Sequence, residues 1–170
     1  HSQWLSYTKP DTADGVQFRA LCEACDELCN VKGIPASKLY IWLDYVSIPQ
    51  ANKTLQKLAI ETLAVYASTC SLFLVLATDA VHTDTFKPCD QLSYSRRGWC
   101  RLEQWAHSTN GFSSMYVFGQ NRQLELGTQQ DLLKDSMFVF EGEFTVESDK
   151  RALVQHILPE AQTLMGAPPH

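Results

Sequence analysis

Residues 72–77 read Leu-Phe-Leu-Val-Leu-Ala, an unbroken apolar run. A strand with one face in water would alternate apolar and polar side chains. A short continuous run is instead what a strand covered on both faces requires. Three other stretches have the same character: Leu39-Tyr40-Ile41-Trp42-Leu43, Met115-Tyr116-Val117-Phe118 and Met137-Phe138-Val139-Phe140. Their aromatic and β-branched content suits extended backbone.

Helical spacing fills the intervals. Residues 15–32 carry a stripe of Phe18, Leu21, Cys22, Cys25, Leu28 and Cys29. Leu55, Leu58, Ala59, Leu63 and Tyr66 mark a second helix, with Asn52 or Thr54 placed to cap it. Residues 97–108 form a third and 129–134 a brief fourth. Residues 148–158 form a last helix, with Ala152, Leu153, His156 and Ile157 on one face. Strands alternating with helices imply right-handed crossovers. The fold class expected is therefore α/β, a doubly wound parallel sheet of four to five strands. Residues 78–95 read as a long irregular loop, of the kind that carries function at strand ends. The first strand of such a fold should precede the first helix. Before residue 15 there is little more than Gln3-Trp4-Leu5, so that strand is expected to be very short or to lie upstream of the numbered sequence. The 170 residues suit one domain, excised from a longer chain, with a flexible tail at 163–170.

Composition narrows the function. Net charge is −5, and Arg96-Arg97 is the one adjacent pair of arginines. That argues against a nucleic-acid partner. No apolar run reaches the roughly 20 residues of a membrane helix, and no leader is visible, so a cytoplasmic protein without a membrane partner is expected. Six cysteines are present. Their spacing follows a helical face, so packed core thiols are expected rather than a disulfide framework or a metal site. Dinucleotide and P-loop glycine motifs, HExxH and GxSxG are all missing.

Two places carry chemistry. Asp44 follows the 39–43 run, where a carboxylate either points into a ligand crevice or caps a turn. Residues 94–107 read YSRRGWCRLEQWAH. Gly98 is expected to permit a tight entry into a helix. Trp99 and Glu103 are four residues apart and share a helical face. The indole can stack on a flat base and the carboxylate can stabilise a cationic sugar, which suits glycosidic bond cleavage. The alternative is a core tryptophan with Glu103 bridged to an arginine.

The order of these features resembles a TIR domain. It runs through Ser2-Gln3-Trp4-Leu5, a helix, Trp42-Leu43-Asp44, Ser47-Ile48-Pro49-Gln50, a helix to Tyr66-Ala67, the 72–76 strand and Trp99-Cys100-Arg101-Leu102-Glu103. The last is similar to the Trp-Cys-x-x-Glu signature of that family. The fungal heterokaryon-incompatibility domain, a distant relative, has a similar strand and Gln-ending loop. The resemblance implies a flavodoxin-like fold and cleavage of NAD at the nicotinamide–ribose bond, giving ADP-ribose or a cyclic form, in immune or cell-death signalling. It implies Glu103 as the catalytic residue. Trp99 would line the nicotinamide side, Asp44 and Tyr45 would contact the ribose or order a gating loop, and Trp4 and Leu5 would form the opposite wall. NAD is then the substrate, with no cofactor or metal needed, and self-association or other TIR-like domains are the expected partners. A non-catalytic TIR-like scaffold and a nucleoside-processing glycosyl transferase of related fold are the alternatives.

Overall fold

The computed structural model describes residues 3–49, 51–108, 114–127, 138–144, 150–151 and 153. The 72–77 run forms β1 (Phe73–Leu76). It pairs in parallel with β4 (Met115–Phe118), in register from Phe73 opposite Met115 to Leu76 opposite Phe118. β4 carries β5 (Leu124–Leu126) antiparallel on its other side, so the order is β1-β4-β5. The fold is mixed α/β, built on a small mixed sheet rather than the larger all-parallel sheet expected.

The continuity of the 72–77 run now has a cause. Phe73, Val75 and Ala77 enter one core with Ala64, Ala67, Leu102 and Ala106. Those partners come from α4 (Leu63–Thr69) and α6 (Gly98–Ser108). Leu76 turns the other way, to Phe118 and to Ala20 and Ala24 of α1 (Val16–Lys32). Helices cover both faces, so neither set of alternate side chains can be polar.

α1 ends where expected, at Gly33, whose φ of 63° lies in the left-handed region. Its buried face is not the expected one. Gln17, Ala20, Ala24, Leu28 and Cys29 are buried, whereas Phe18 is 66% exposed and Cys22 is also exposed. Close approach to the sheet selects the small alanines and rotates the Phe18–Cys22 edge outward. The second expected helix is two: α3 (Lys53–Glu61) and α4, broken at Thr62. The Thr62 hydroxyl donates to the carbonyls of Leu58 and Ala59, competing with the helix ladder. Asn52 caps α3 by accepting from the Leu55 N–H at 3.0 Å.

Two expected strands are corrected. Residues 39–43 are extended but join no ladder among the described residues. An apolar slot of about 600 Å3, lined by Leu21, Leu39, Ile41, Leu43 and Phe73 among others, lies between them and β1. The last run is not a strand where it is described: Val139–Glu141 is a 3-10 turn. Gln3–Leu5 forms no strand, one of the two outcomes expected for the first strand; it is a bend held by Leu5 N–H to the Pro10 carbonyl and Gln17 Nε2 to the Gln3 carbonyl at 2.6 Å. The 129–134 helix, most of the 148–158 helix and the 163–170 tail fall outside the described residues.

Residues 78–95 are more ordered than a loop. They contain elements of their own: a hairpin of β2 (Ala80–Val81) and β3 (Pro88–Cys89), then α5 (Gln91–Arg96). The α2 helix itself is a single turn (Asp44–Ser47) after the extended 39–43 segment.

The entry to α6 is set by a backbone contact. Gly98 N–H donates to the Glu143 carbonyl at 2.9 Å, and Glu143 N–H donates to the Arg96 carbonyl at 2.7 Å, in a parallel bridge between Arg97 and Glu143. A Cβ on Gly98 would run into the Phe144 ring, and one on Gly142 would sit 2.6 Å from the Gly98 nitrogen. Gly98 is therefore required by steric approach, and its φ is not in the left-handed region. Gly142→Ala meets backbone that cannot rotate away, so we expect a loss of about 1–3 kcal/mol or more, the range for overpacking. Chemical denaturation checks this. A Gly142→Ala midpoint equal to wild type would remove the bridge from the account.

Candidate active site

α5 starts at a capping box. The Asp90 carboxylate accepts from the Ser93 N–H at 2.8 Å, and the Ser93 hydroxyl accepts from the Asp90 N–H at 2.8 Å. The Ser93 N–H, foremost, holds the Asp90 carboxyl below its ordinary pKa. The chain turns at Arg97 into α6, which has two working faces. Cys100, Leu102 and Ala106 enter the core. Trp99 and Glu103, one turn apart, line a cavity of about 540 Å3, a size suited to a small-molecule ligand.

The cavity assembles four of the six residues expected from sequence. Trp4, Asp44, Trp99 and Glu103 all line it, from three separate parts of the chain. Glu103 is 2% exposed and Asp44 is half-buried. Trp99 packs edge-on against Phe144, with ring centroids 6.1 Å apart. Asp44 also accepts from the Tyr45 N–H at 2.8 Å, so the two readings of this residue, turn-former and cavity wall, hold together.

The other two differ. Tyr45 is at the rim, 39% exposed, with its ring edge-on to Trp4 at 5.5 Å. It supports Trp4 and does not line the cavity. The Leu5 side chain is 1% exposed and faces the core. Its carbonyl accepts from both the N–H and the hydroxyl of Thr83, at 2.8 and 3.1 Å, and so ties the β2–β3 hairpin to the amino-terminal bend. Leu5 is therefore an anchor of the rim and not part of the wall.

Sequence reasoning missed His82, Lys87, Arg97 and Glu143, which also line the cavity. They come from a hairpin, a helix junction and a distant bend, so no local spacing joins them. Arg97 stands two residues before Trp99 and was available to inspection.

The field around Glu103 is legible in its neighbours. Burial raises the Cys70 thiol above its ordinary pKa, and the Glu103 charge raises it further. Burial raises the Tyr94 hydroxyl well above its ordinary value, with Cys100 and then Glu103 adding to it. New negative charge is disfavoured here, and by the same Coulomb argument positive charge is favoured. Asp44 and Glu103 also line the apolar slot beside β1, so they form the partition between the two cavities.

The cysteines are free thiols, and Cys29, Cys89 and Cys100 are buried. Burial, then the neighbouring Cys22, Cys29 and Asp26, push Cys25 to about 11, so it stays a protonated thiol at neutral pH. Among the described residues, no group of three or more His, Cys, Asp or Glu is arranged to hold a metal ion, and no helix is long and apolar enough to cross a membrane. No family model, curated protein or solved structure matches the chain.

The far end of α6 is pinned by His107, which is fully buried. Its Nδ1–H donates to the Ala67 carbonyl at 3.0 Å, its Nε2 accepts from the Ser114 hydroxyl at 2.8 Å, and its ring stacks on Phe73. Burial lowers its pKa below the ordinary 6.5, against the opposing pull of hydrogen bonding to the backbone at Ala67 and Ser114. The unfolded chain then takes up a proton near 6.5, before the folded chain does. The contribution of His107 is full above that pH and is lost as pH falls from 6.5 toward the depressed folded value. Stability measured by urea denaturation should fall across this window in wild type and fall less steeply in His107→Gln. Equal slopes would dismiss the assignment.

Proposed function

We propose that the protein is a TIR-like NAD glycohydrolase, with the 540 Å3 cavity as its active site. The observation that carries the reading is convergence: Trp99 and Glu103 on one face of α6 share a cavity with Asp44 and Trp4. The finer fold reading, a flavodoxin-like sheet, belongs to the same proposal. It is supported by the parallel β1–β4 pair between helices on both faces.

On this reading, the nicotinamide ring stacks on Trp99 and the adjoining ribose lies against Glu103. The C1′–N bond breaks and its electron pair leaves with nicotinamide, which becomes neutral. The ribosyl carbon becomes cationic, and the buried Glu103 carboxylate stabilises it. Nicotinamide is a cationic leaving group in NAD, so no general acid is needed. Water adds to C1′ and loses a proton, giving ADP-ribose; attack by the adenine nitrogen instead gives the cyclic form. The near-complete burial of Glu103 strengthens its charge on the transition state relative to water. Asp44 accepts a hydrogen bond from a ribose hydroxyl on this reading, and Trp4, braced by Tyr45, closes the opposite side.

A homotypic scaffold is the second reading. The exposed apolar side chains Tyr40, Ile41, Val46, Leu55 and Leu58 favour it. Self-association through them is compatible with either role.

Nicotinamide release from NAD tests the proposal. Glu103→Gln, which keeps the shape and removes the charge, should lower kcat at least about 100-fold. Trp99→Ala should raise KM about tenfold through lost stacking. No release by wild type across a wide range of protein concentrations would leave the scaffold reading.

A further inference from the structure

The cavity carries more charge than a nicotinamide–ribose site uses. Beside the carboxylates of Asp44, Glu103 and Glu143 it is lined by Lys87, Arg97 and His82. The ion pairs found among the described residues are Arg19–Asp14, Lys57–Glu61 and Arg122–Glu23, all away from this cavity. Among the described residues neither Lys87 nor Arg97 has a side-chain hydrogen bond or ion pair. Arg97 is half-buried, and its backbone is locked by the bridge to Glu143 and by its N–H to the Tyr94 carbonyl at 3.1 Å. Three carboxylates line the cavity with it, yet among the described residues none forms an ion pair with Arg97, and a guanidinium held partly out of water without such a pair is costly unless a ligand supplies the anion.

Its charge is felt at the cavity wall. The Arg97 charge draws the pKa of Cys89 downward, against the larger effect of burial, and Cys89 lines the same cavity. His82 is set as a donor. Its Nδ1 accepts from the N–H groups of Asp84 and Thr85, both at 3.3 Å, which leaves the ring proton on Nε2. The His82 ring is fixed edge-on against Tyr7, centroids 5.1 Å apart. The hairpin that carries His82 and Lys87 is tied to the amino-terminal bend through Thr83 and through Tyr7 N–H to the Asp84 carboxylate at 2.7 Å. α6 also opens on this cavity with no acidic residue in its first turn.

We propose that Arg97, with Lys87 and the His82 Nε2–H, forms an anion wall that holds the pyrophosphate of a dinucleotide while Glu103 faces the cationic sugar. This rests on the reading of the cavity as an NAD site and adds what selects the substrate. A planar guanidinium matches two phosphate oxygens at once, and Lys87 adds a mobile point charge. The wall makes the site specific for a diphosphate-bridged dinucleotide over a nucleoside, which brings the cationic ring but no phosphate.

The test uses the whole chain and two kinds of probe. ADP-ribose binding is measured by calorimetry, and nicotinamide release is measured from NAD and from nicotinamide riboside. Arg97→Gln should weaken ADP-ribose binding about tenfold or more, as expected for a charge-assisted pair. It should raise KM for NAD with kcat little changed, and leave the riboside kinetics as in wild type. Arg97→Lys should restore part of the loss, and Arg96→Gln, one residue outside the cavity, should match wild type. If Arg97→Gln does not fold, Lys87→Gln on the exposed hairpin carries the same readout with a smaller loss. ADP-ribose binding unchanged in the folded variants, absent in wild type, or an equal loss on NAD and riboside would overturn the anion wall. If wild type cleaves neither substrate yet binds ADP-ribose through Arg97, the wall stands and the glycohydrolase reading fails.

Discussion

The α6 wall of the cavity depends on one backbone contact. Where the chain passes from α5 into α6, Gly98 meets Gly142 so closely that neither position has room for a Cβ, and the Phe144 ring closes over the gap. Two hydrogen bonds between main-chain atoms complete the junction. It fixes the first turn of α6, and with it the direction of Arg97, Trp99 and Glu103. A contact made by backbone is indifferent to side-chain chemistry, so it can hold charged groups without competing for them. The same contact explains why the 138–140 run is not a strand. Its aromatic residues favour extended backbone, but the chain must turn into Gly142 to reach Gly98, and a 3-10 turn does this in three residues.

What was legible in the sequence follows from how local each signal is. β1 and β4 could be read because burial on two faces writes itself into every residue of a run. The Trp99–Glu103 pair could be read because i, i+4 spacing is a property of the helix alone, and the Asn52 cap because it reaches three residues. The 39–43 run shows the limit. Its composition is that of a strand and its backbone is extended, yet a strand exists only through a neighbour, and composition does not say whether one is there. On α1 the cysteine stripe and the alanine stripe are adjacent. The choice between them is made by how near the sheet the helix lies, a tertiary fact that burial tendency alone misassigns. His82, Lys87 and Arg97 meet only because the hairpin folds back on the amino-terminal bend, a convergence over long sequence separations.

The charges in the cavity are arranged by element. The carboxylates come from the start of α2, the second turn of α6 and Glu143 on the distant bend, and the cations from the hairpin and the α5–α6 junction. Mixed charge this close would collapse into internal ion pairs if the side chains were free to meet, and the screening of exposed pairs would make such pairs nearly worthless. Rigid backbone at Arg97 and a fixed ring at His82 oppose that collapse. Preorganisation of this kind moves cost from the binding event to folding, where the core of α4, α6 and β1 carries it.

That division also gives the apolar slot a place in the argument. Asp44 and Glu103 have the slot on one side and the charged cavity on the other. Cys70, in the slot, feels the Glu103 charge, so the partition is electrostatically thin. A buried carboxylate is strongest as an electrostatic partner when water is kept from both sides of it. Leu39, Ile41 and Leu43, facing Phe73, put apolar surface on that side of Glu103, although none of these side chains lines the charged cavity. The 39–43 segment matters to the site less as a strand than as the apolar wall of the slot on the far side of Asp44 and Glu103.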